Sequence, residues 1–112
     1  MLEQPKYHVI FRACDRVFSV HSDRPSFVGG DKKTLIKTCF LSLLEALRAL
    51  PHTIHVIGDK LSGEMQEFFK RFPVTLTNGD FSTGGSALAC VEYAMTLPPD
   101  DWVYFCEDDY LH

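Results

Sequence analysis

Apolar positions along this chain switch repeatedly between two spacings. Tyr7-His8-Val9-Ile10-Phe11-Arg12-Ala13 is a short run rich in β-branched and aromatic residues, and it predicts a first strand ending at the polar cluster Cys14-Asp15-Arg16. A long connection follows, containing Pro25, Gly29 and Gly30; within it Val17-Phe18-Ser19-Val20-His21 has the make-up of a small extra strand. A connection of that length in a compact domain is characteristically functional or mobile. Leu35, Ile36, Cys39, Phe40, Leu43, Leu44, Leu47 and Leu50 then recur at the helical period. They predict a first helix, with Asp31 as its N-cap and Pro51 as its stop. Thr53-Ile54-His55-Val56-Ile57 predicts a second strand, closed by Gly58-Asp59-Lys60. Ser62 is placed to cap a second helix carrying Met65, Phe68, Phe69 and Phe72 on one side, up to Pro73. Val74-Thr75-Leu76-Thr77 predicts a third strand, broken by Asn78-Gly79-Asp80. Ser82-Thr83-Gly84-Gly85-Ser86 leads into a third helix with Leu88, Val91, Ala94 and Met95 as its inner face, ended by Pro98-Pro99. Trp102-Val103-Tyr104-Phe105-Cys106 is the most apolar stretch and reads as a buried fourth strand running into Glu107-Asp108-Asp109.

The order is β-α-β-α-β-α-β over a single domain spanning residues 1–112. Helical crossovers join parallel neighbours, because a tight turn cannot. Right-handed crossovers then put helices on both faces. The expected fold is therefore α/β, Rossmann-like, with a mainly parallel four-stranded sheet. In such a sheet the carboxyl ends of the strands share one edge, where ligands of open α/β sheets bind. Every polar cluster named so far falls at that edge.

Composition narrows the classes. With 46% hydrophobic residues the chain can build a core and is not of the disordered type. Eleven Lys and Arg against fifteen Asp and Glu give a net charge of -4, which argues against a nucleic-acid binder. No apolar run reaches the roughly 18 residues of a membrane span. Residues 1–5 lack the basic and apolar blocks of a signal peptide. The four cysteines (Cys14, Cys39, Cys90 and Cys106) form no C-x-x-C pair, and three sit in apolar stretches. That usage points to free thiols and a cytoplasmic location.

Three adjacent carboxylates at a strand end repel one another unless they are solvated or neutralised by a cation. Glu107, Asp108 and Asp109 are hard oxygen donors suited to Mg2+ or Mn2+ with phosphate and water in the shell, or else form a solvated acidic turn. Gly84 and Gly85 open a helix whose N-terminal amides can meet an anion, or form a tight turn before it. No G-x-x-x-x-G-K-[ST] and no G-x-G-x-x-G occurs. Asp59 can accept from a ribose or a base, or serve its own turn. Arg12, Asp15 and Arg16 end the first strand, where an arginine can meet phosphate or pair with the acidic cluster. His112 is either an added ligand or a polar terminal residue, while His8 and His55 read as packed residues.

Taken in order, these pieces resemble the nucleotide-binding half of a GT-A glycosyltransferase, similar to the inverting family-2 enzymes, over nearly the whole chain. The resemblance implies that Arg12, Asp15 and Arg16 face the nucleotide and that Asp59 contacts the base. It places Gly84 and Gly85 beside the donor, and Glu107-Asp108-Asp109 as the D-x-D-type motif. By it, Asp109 holds the metal, Asp108 meets the ribose or the metal shell, and Glu107 is a metal-shell or ribose contact. It further implies a Mn or Mg cofactor, a nucleotide-sugar donor (a UDP-sugar first) and a glycan, lipid or protein acceptor. The metal would neutralise charge on the departing nucleoside diphosphate. Two features depart from the family. The first-strand segment reads F-R-A-C-D-R where a proline- and tyrosine-containing opening is commoner. Family members also continue well beyond the acidic motif, so the chain is expected to be a piece of a longer enzyme or a donor-binding remnant. No residue here is nominated as the base that an inverting transfer needs. The alternative function is a non-catalytic nucleotide-sugar-binding or assembly module, and an exposed sheet edge favours a homodimer.

Overall fold

The computed structural model describes residues 6–15 and 32–112. The proposed N-cap Asp31, the small strand at 17–21, Arg16 and the glycine pair 29–30 lie outside the described residues.

Seven elements follow the expected order: β1 (Tyr7–Ala13), α1 (Lys32–Leu47), β2 (His52–Asp59), α2 (Gly63–Phe69), β3 (Thr75–Gly79), α3 (Ser82–Ala94) and β4 (Trp102–Glu107). Ser62 caps α2 as its sequence position predicts: its hydroxyl accepts from the Met65 N–H at 3.3 Å. Two boundaries shift. α1 stops at Leu47 rather than Leu50, and Leu50 is exposed beyond it. β3 runs through Asn78 and Gly79, because the Asn78 side chain accepts from the Leu61 N–H (2.8 Å) and the Gly79 carbonyl accepts from the Lys60 N–H (2.7 Å). These bonds give a turn-prone pair reasons to stay extended.

The sheet is parallel throughout, in the order β3-β2-β1-β4. The chain builds outward from β1 through β2 to β3, then crosses back to lay β4 on the other side of β1. That reversal puts α1 and α2 on one face and α3 on the other. Alternation sends Val9, Phe11, Ala13, Ile54, Val56 and Cys106 toward α1 and α2, where they meet Ile36, Phe40, Leu43, Met65 and Phe69. Phe40 stands edge-on to Phe11 at 5.4 Å, to Phe69 at 5.0 Å and to Phe72 at 5.2 Å between ring centroids. A fully buried Phe contributes about 1.5–3 kcal/mol through apolar burial alone.

The opposite face is thinner. Ile10, Ile57 and Cys90 are its buried members, with Phe81, Ala89, Tyr93, Ala94 and Val103 packed partly against them. Here the sequence-based expectation for α3 is corrected. Leu88 (57% exposed), Val91 (48%) and Met95 (80%) are left largely exposed, and the buried side belongs to Ser86 and Cys90. Small side chains let the helix approach Ile10 and Ile57 closely, and the larger apolar ones are left outside. The fourth strand is corrected too: it is an edge strand rather than a buried one, with Trp102, Tyr104 and Phe105 exposed. No described helix is long and apolar enough to cross a membrane.

Candidate functional site

Reversal of strand order occurs between β1 and β4, so the crevice that open α/β sheets use for ligands opens at their carboxyl ends. Asp108 sits in it, buried, one residue past β4. One carboxylate oxygen accepts from the Cys14 N–H at 2.8 Å, and the other meets Lys32 Nζ at 3.1 Å. A single carboxylate thus fastens the end of β1 and the start of α1. Burial pushes its pKa up, offset in part by the Lys32 charge and the Cys14 amide. Asp109, the next residue, is exposed and has no hydrogen-bond or ion-pair partner among the described residues.

Glu107 points elsewhere. It ends β4 opposite Arg12 in the register, and its carboxylate takes a fork from the guanidinium, with Nη2–Oε1 at 2.7 Å and Nη2–Oε2 at 2.9 Å. The acidic trio therefore divides: Glu107 is matched with Arg12, Asp108 with Cys14 and Lys32, and Asp109 faces solvent. Arg12 is turned toward the acidic motif rather than held apart from it. Asp15 accepts from the Ser62 N–H at 3.2 Å, tying the end of β1 to the cap of α2.

Asp59 ends β2 on the α3 side. It is buried and accepts from the Phe81 N–H (3.0 Å) and the Ser82 N–H (3.2 Å). A carboxylate at this position satisfies amides at the opening of α3 and complements the positive end of the helix. Ser82 itself adopts φ 64, a left-handed conformation, and its hydroxyl accepts from the Gly85 N–H at 3.4 Å. Gly84 has open space where a side chain would begin, so ligand backbone or phosphate can approach it. Asp59 and Asp108 thus share the rim but serve opposite faces. With β1 between them, two strand spacings separate them, on the order of 10 Å.

Other titratable groups near the rim are subdued. Burial pushes the Cys106 thiol up to about 12, with the charges of Cys39 and Glu107 adding to the effect. Cys39 and Cys90 are raised by burial as well, so these thiols are packing groups rather than nucleophiles. His112 is held below its ordinary value by burial; its ring meets the Tyr104 hydroxyl at 2.8 Å, and its N–H donates to the Ser42 hydroxyl at 2.9 Å. His8 and His55 are packed as expected, His8 between Thr53 and Asp101 and His55 against Tyr93.

A cation at this rim would have to be held through Asp109. Among the described residues no group of three metal-ligating side chains occurs, since Glu107 and Asp108 are already matched with cations of the protein. Mg2+ characteristically keeps water and binds through one or two carboxylates plus substrate phosphates. Asp109 alone, completed by a diphosphate, meets that description. Sequence reasoning missed Lys32. The signal was present: cations in the first turn of a helix oppose its dipole unless an acid answers them. Compared with models of known families, with curated proteins and with solved structures, the chain matches none.

Proposed function

We propose that the rim between β1 and β4 binds a nucleoside diphosphate sugar through a divalent cation, and that the chain is the donor-binding part of a glycosyltransferase. The observation that carries this reading is Asp109, an exposed carboxylate without a partner among the described residues, at the switch point of a parallel sheet. The cation, when bound with the diphosphate, offsets charge on the leaving group. Asp108 keeps β1, α1 and the acidic motif in fixed relation, and Lys32 lends the rim a positive charge beside the diphosphate. The base lies toward the opening of α3, where Gly84 leaves room. Four free thiols accord with a cytoplasmic setting.

Calorimetric titration with UDP and Mn2+ tests the reading. UDP is expected to bind only when Mn2+ is present, and Asp109→Asn is expected to weaken it by at least about tenfold, or 1.4 kcal/mol. Absence of heat with UDP at millimolar concentration, with and without metal, rejects donor binding. A binding-only module is the second reading. It is favoured by the other described rim carboxylates, Asp15, Asp59, Asp80, Glu107 and Asp108, each of which already has a protein partner and so makes a poor general base. Slow hydrolysis of a bound UDP-sugar separates the two, since only the transferase activates the anomeric bond.

A further inference from the structure

The two edges of the sheet differ in kind. β3, at one edge, presents Thr75, Thr77 and Asn78. β4, at the other, presents Trp102 at 63% exposure and Phe105 at 52%, with Tyr104 between them. The Trp102 N–H donates inward to the Lys6 carbonyl at 3.0 Å. Alternation therefore turns the amides and carbonyls of Val103, Phe105 and Glu107 outward, along the side on which β4 has no strand partner among the described residues. Proteins normally guard such an edge with lysine, proline or a bulge. Residues 102–106 hold no charged residue and no proline.

Both sides of this edge are apolar. Trp102 and Tyr104 share the α1 side with Cys106. Phe105 lies on the α3 side, near Val91. Between Phe105, Val91, Cys90 and Ile10 lies a cavity of about 240 Å3, with Arg12 and Glu107 at its polar end. The ends of the strand are acidic: Asp100 and Asp101 precede it, and Glu107, Asp108 and Asp109 follow it. Asp100 and Asp109 are exposed and have no ion-pair partner among the described residues.

We propose that the open edge of β4 docks an extended apolar segment of another protein, with Lys or Arg at both its ends, which joins the sheet as a fifth strand. Main-chain bonds to Val103, Phe105 and Glu107 supply affinity, and the cavity takes one large apolar side chain as the selective contact. Because β4 is apolar on both faces, the incoming segment is a continuous apolar run rather than an alternating one. Its basic ends answer the acidic ends of β4. A second copy of this chain meets the opposite electrostatics: antiparallel self-pairing sets Asp100 and Asp101 against Glu107 and Asp109, and like charges directly opposite destabilise a pair. The inference does not rest on nucleotide binding, but Asp109 is shared with the proposed cation site, so the peptide is titrated with neither nucleotide nor metal present.

Hydrogen exchange of the full chain, read by NMR, tests it with a short synthetic peptide of Val and Ile between lysine pairs. Saturating peptide is expected to slow the Val103, Phe105 and Glu107 amides by at least about tenfold. The same apolar core between glutamate pairs is expected to bind at least about tenfold more weakly. Phe105→Lys, and separately Phe105→Ser, is expected to abolish the protection while circular dichroism stays unchanged; Thr75→Lys on the other edge leaves it intact. The proposal is overturned by equal binding of the two peptides, by unchanged exchange at millimolar peptide, or by protection of the β3 edge instead. It is also overturned if sedimentation finds a dimer without peptide whose β4 amides are already protected, which assigns the edge to a second copy.

Discussion

The two faces of the sheet are sealed by different means. On one, Phe11, Phe40, Phe68, Phe69 and Phe72 meet edge-to-face with centroids 5.0 to 6.0 Å apart, under α1 and α2. Each such pair adds about 0.5–1.5 kcal/mol beyond its area. On the other, α3 rests through its own Cys90 on Ile10 and Ile57, and is tied at its opening by the two hydrogen bonds from backbone amides to Asp59. Stability is concentrated under the first two helices, and α3 is the element that can open at lower cost. Part of the candidate nucleotide site, at Gly84, and the cavity beside β4 adjoin this lightly held helix. Binding regions are drawn from the less stable end of a structure for that reason.

Truncating the aromatic cluster breaks the heavier face first. Phe40→Ala is expected to cost about 3–5 kcal/mol in urea unfolding, enough to unfold a marginal domain. Asp59→Ala tests the lighter face. It leaves the Phe81 and Ser82 amides without their acceptor, at about 1–3 kcal/mol, and hydrogen exchange is expected to rise in α3 while α1 stays protected. Met95→Ser on the outward side of α3 is expected to stay within about 0.5 kcal/mol. A loss comparable to Phe40→Ala at that position would mean the outer apolar row is covered in solution and the contrast between faces is smaller than drawn.

A pH series sharpens the comparison at the rim. Burial raises the Asp108 carboxyl in the folded chain above its ordinary value of 3.8. The folded state therefore holds that proton to higher pH than the unfolded chain. The stability this group contributes is fully present below the unfolded value and falls as pH climbs through the raised one. Asp108→Asn is expected to flatten that decline in urea midpoints measured upward from pH near 4, where the unfolded group titrates.

Helical periodicity made the heavier face readable. Ile36, Cys39, Phe40 and Leu43 lie on a stripe that only a core-facing helix needs, and they are buried. The lighter face was misread from the same kind of signal. In α3 the apolar row Leu88, Val91 and Met95 looks like an inner surface, yet closeness to the sheet selected Ser86 and Cys90, whose small size allows the approach. Periodicity finds an apolar side but does not say which of two sides the sheet will take. The strand order was equally silent: the apolar run of β4 suits a central parallel strand, and the crossover from β3 to the far side of β1 put it on an edge. At the rim, residue types were legible and partners were not. Adjacent acids read as one trio, whereas the pleat and the turn after β4 gave Glu107, Asp108 and Asp109 three separate surroundings.

Pairing of the first strand with the last has a consequence for synthesis. β1 leaves the ribosome before the other three strands, and its β4 neighbour follows only after some ninety further residues, a delay on the order of 5–20 s at ordinary elongation rates. Through that interval the β1 backbone facing β4 is unpaired, flanked by Val9, Ile10 and Phe11, and open to capture by other nascent chains. Slower translation across residues 14–101 would lengthen the hazard, and an early-binding chaperone would shorten it.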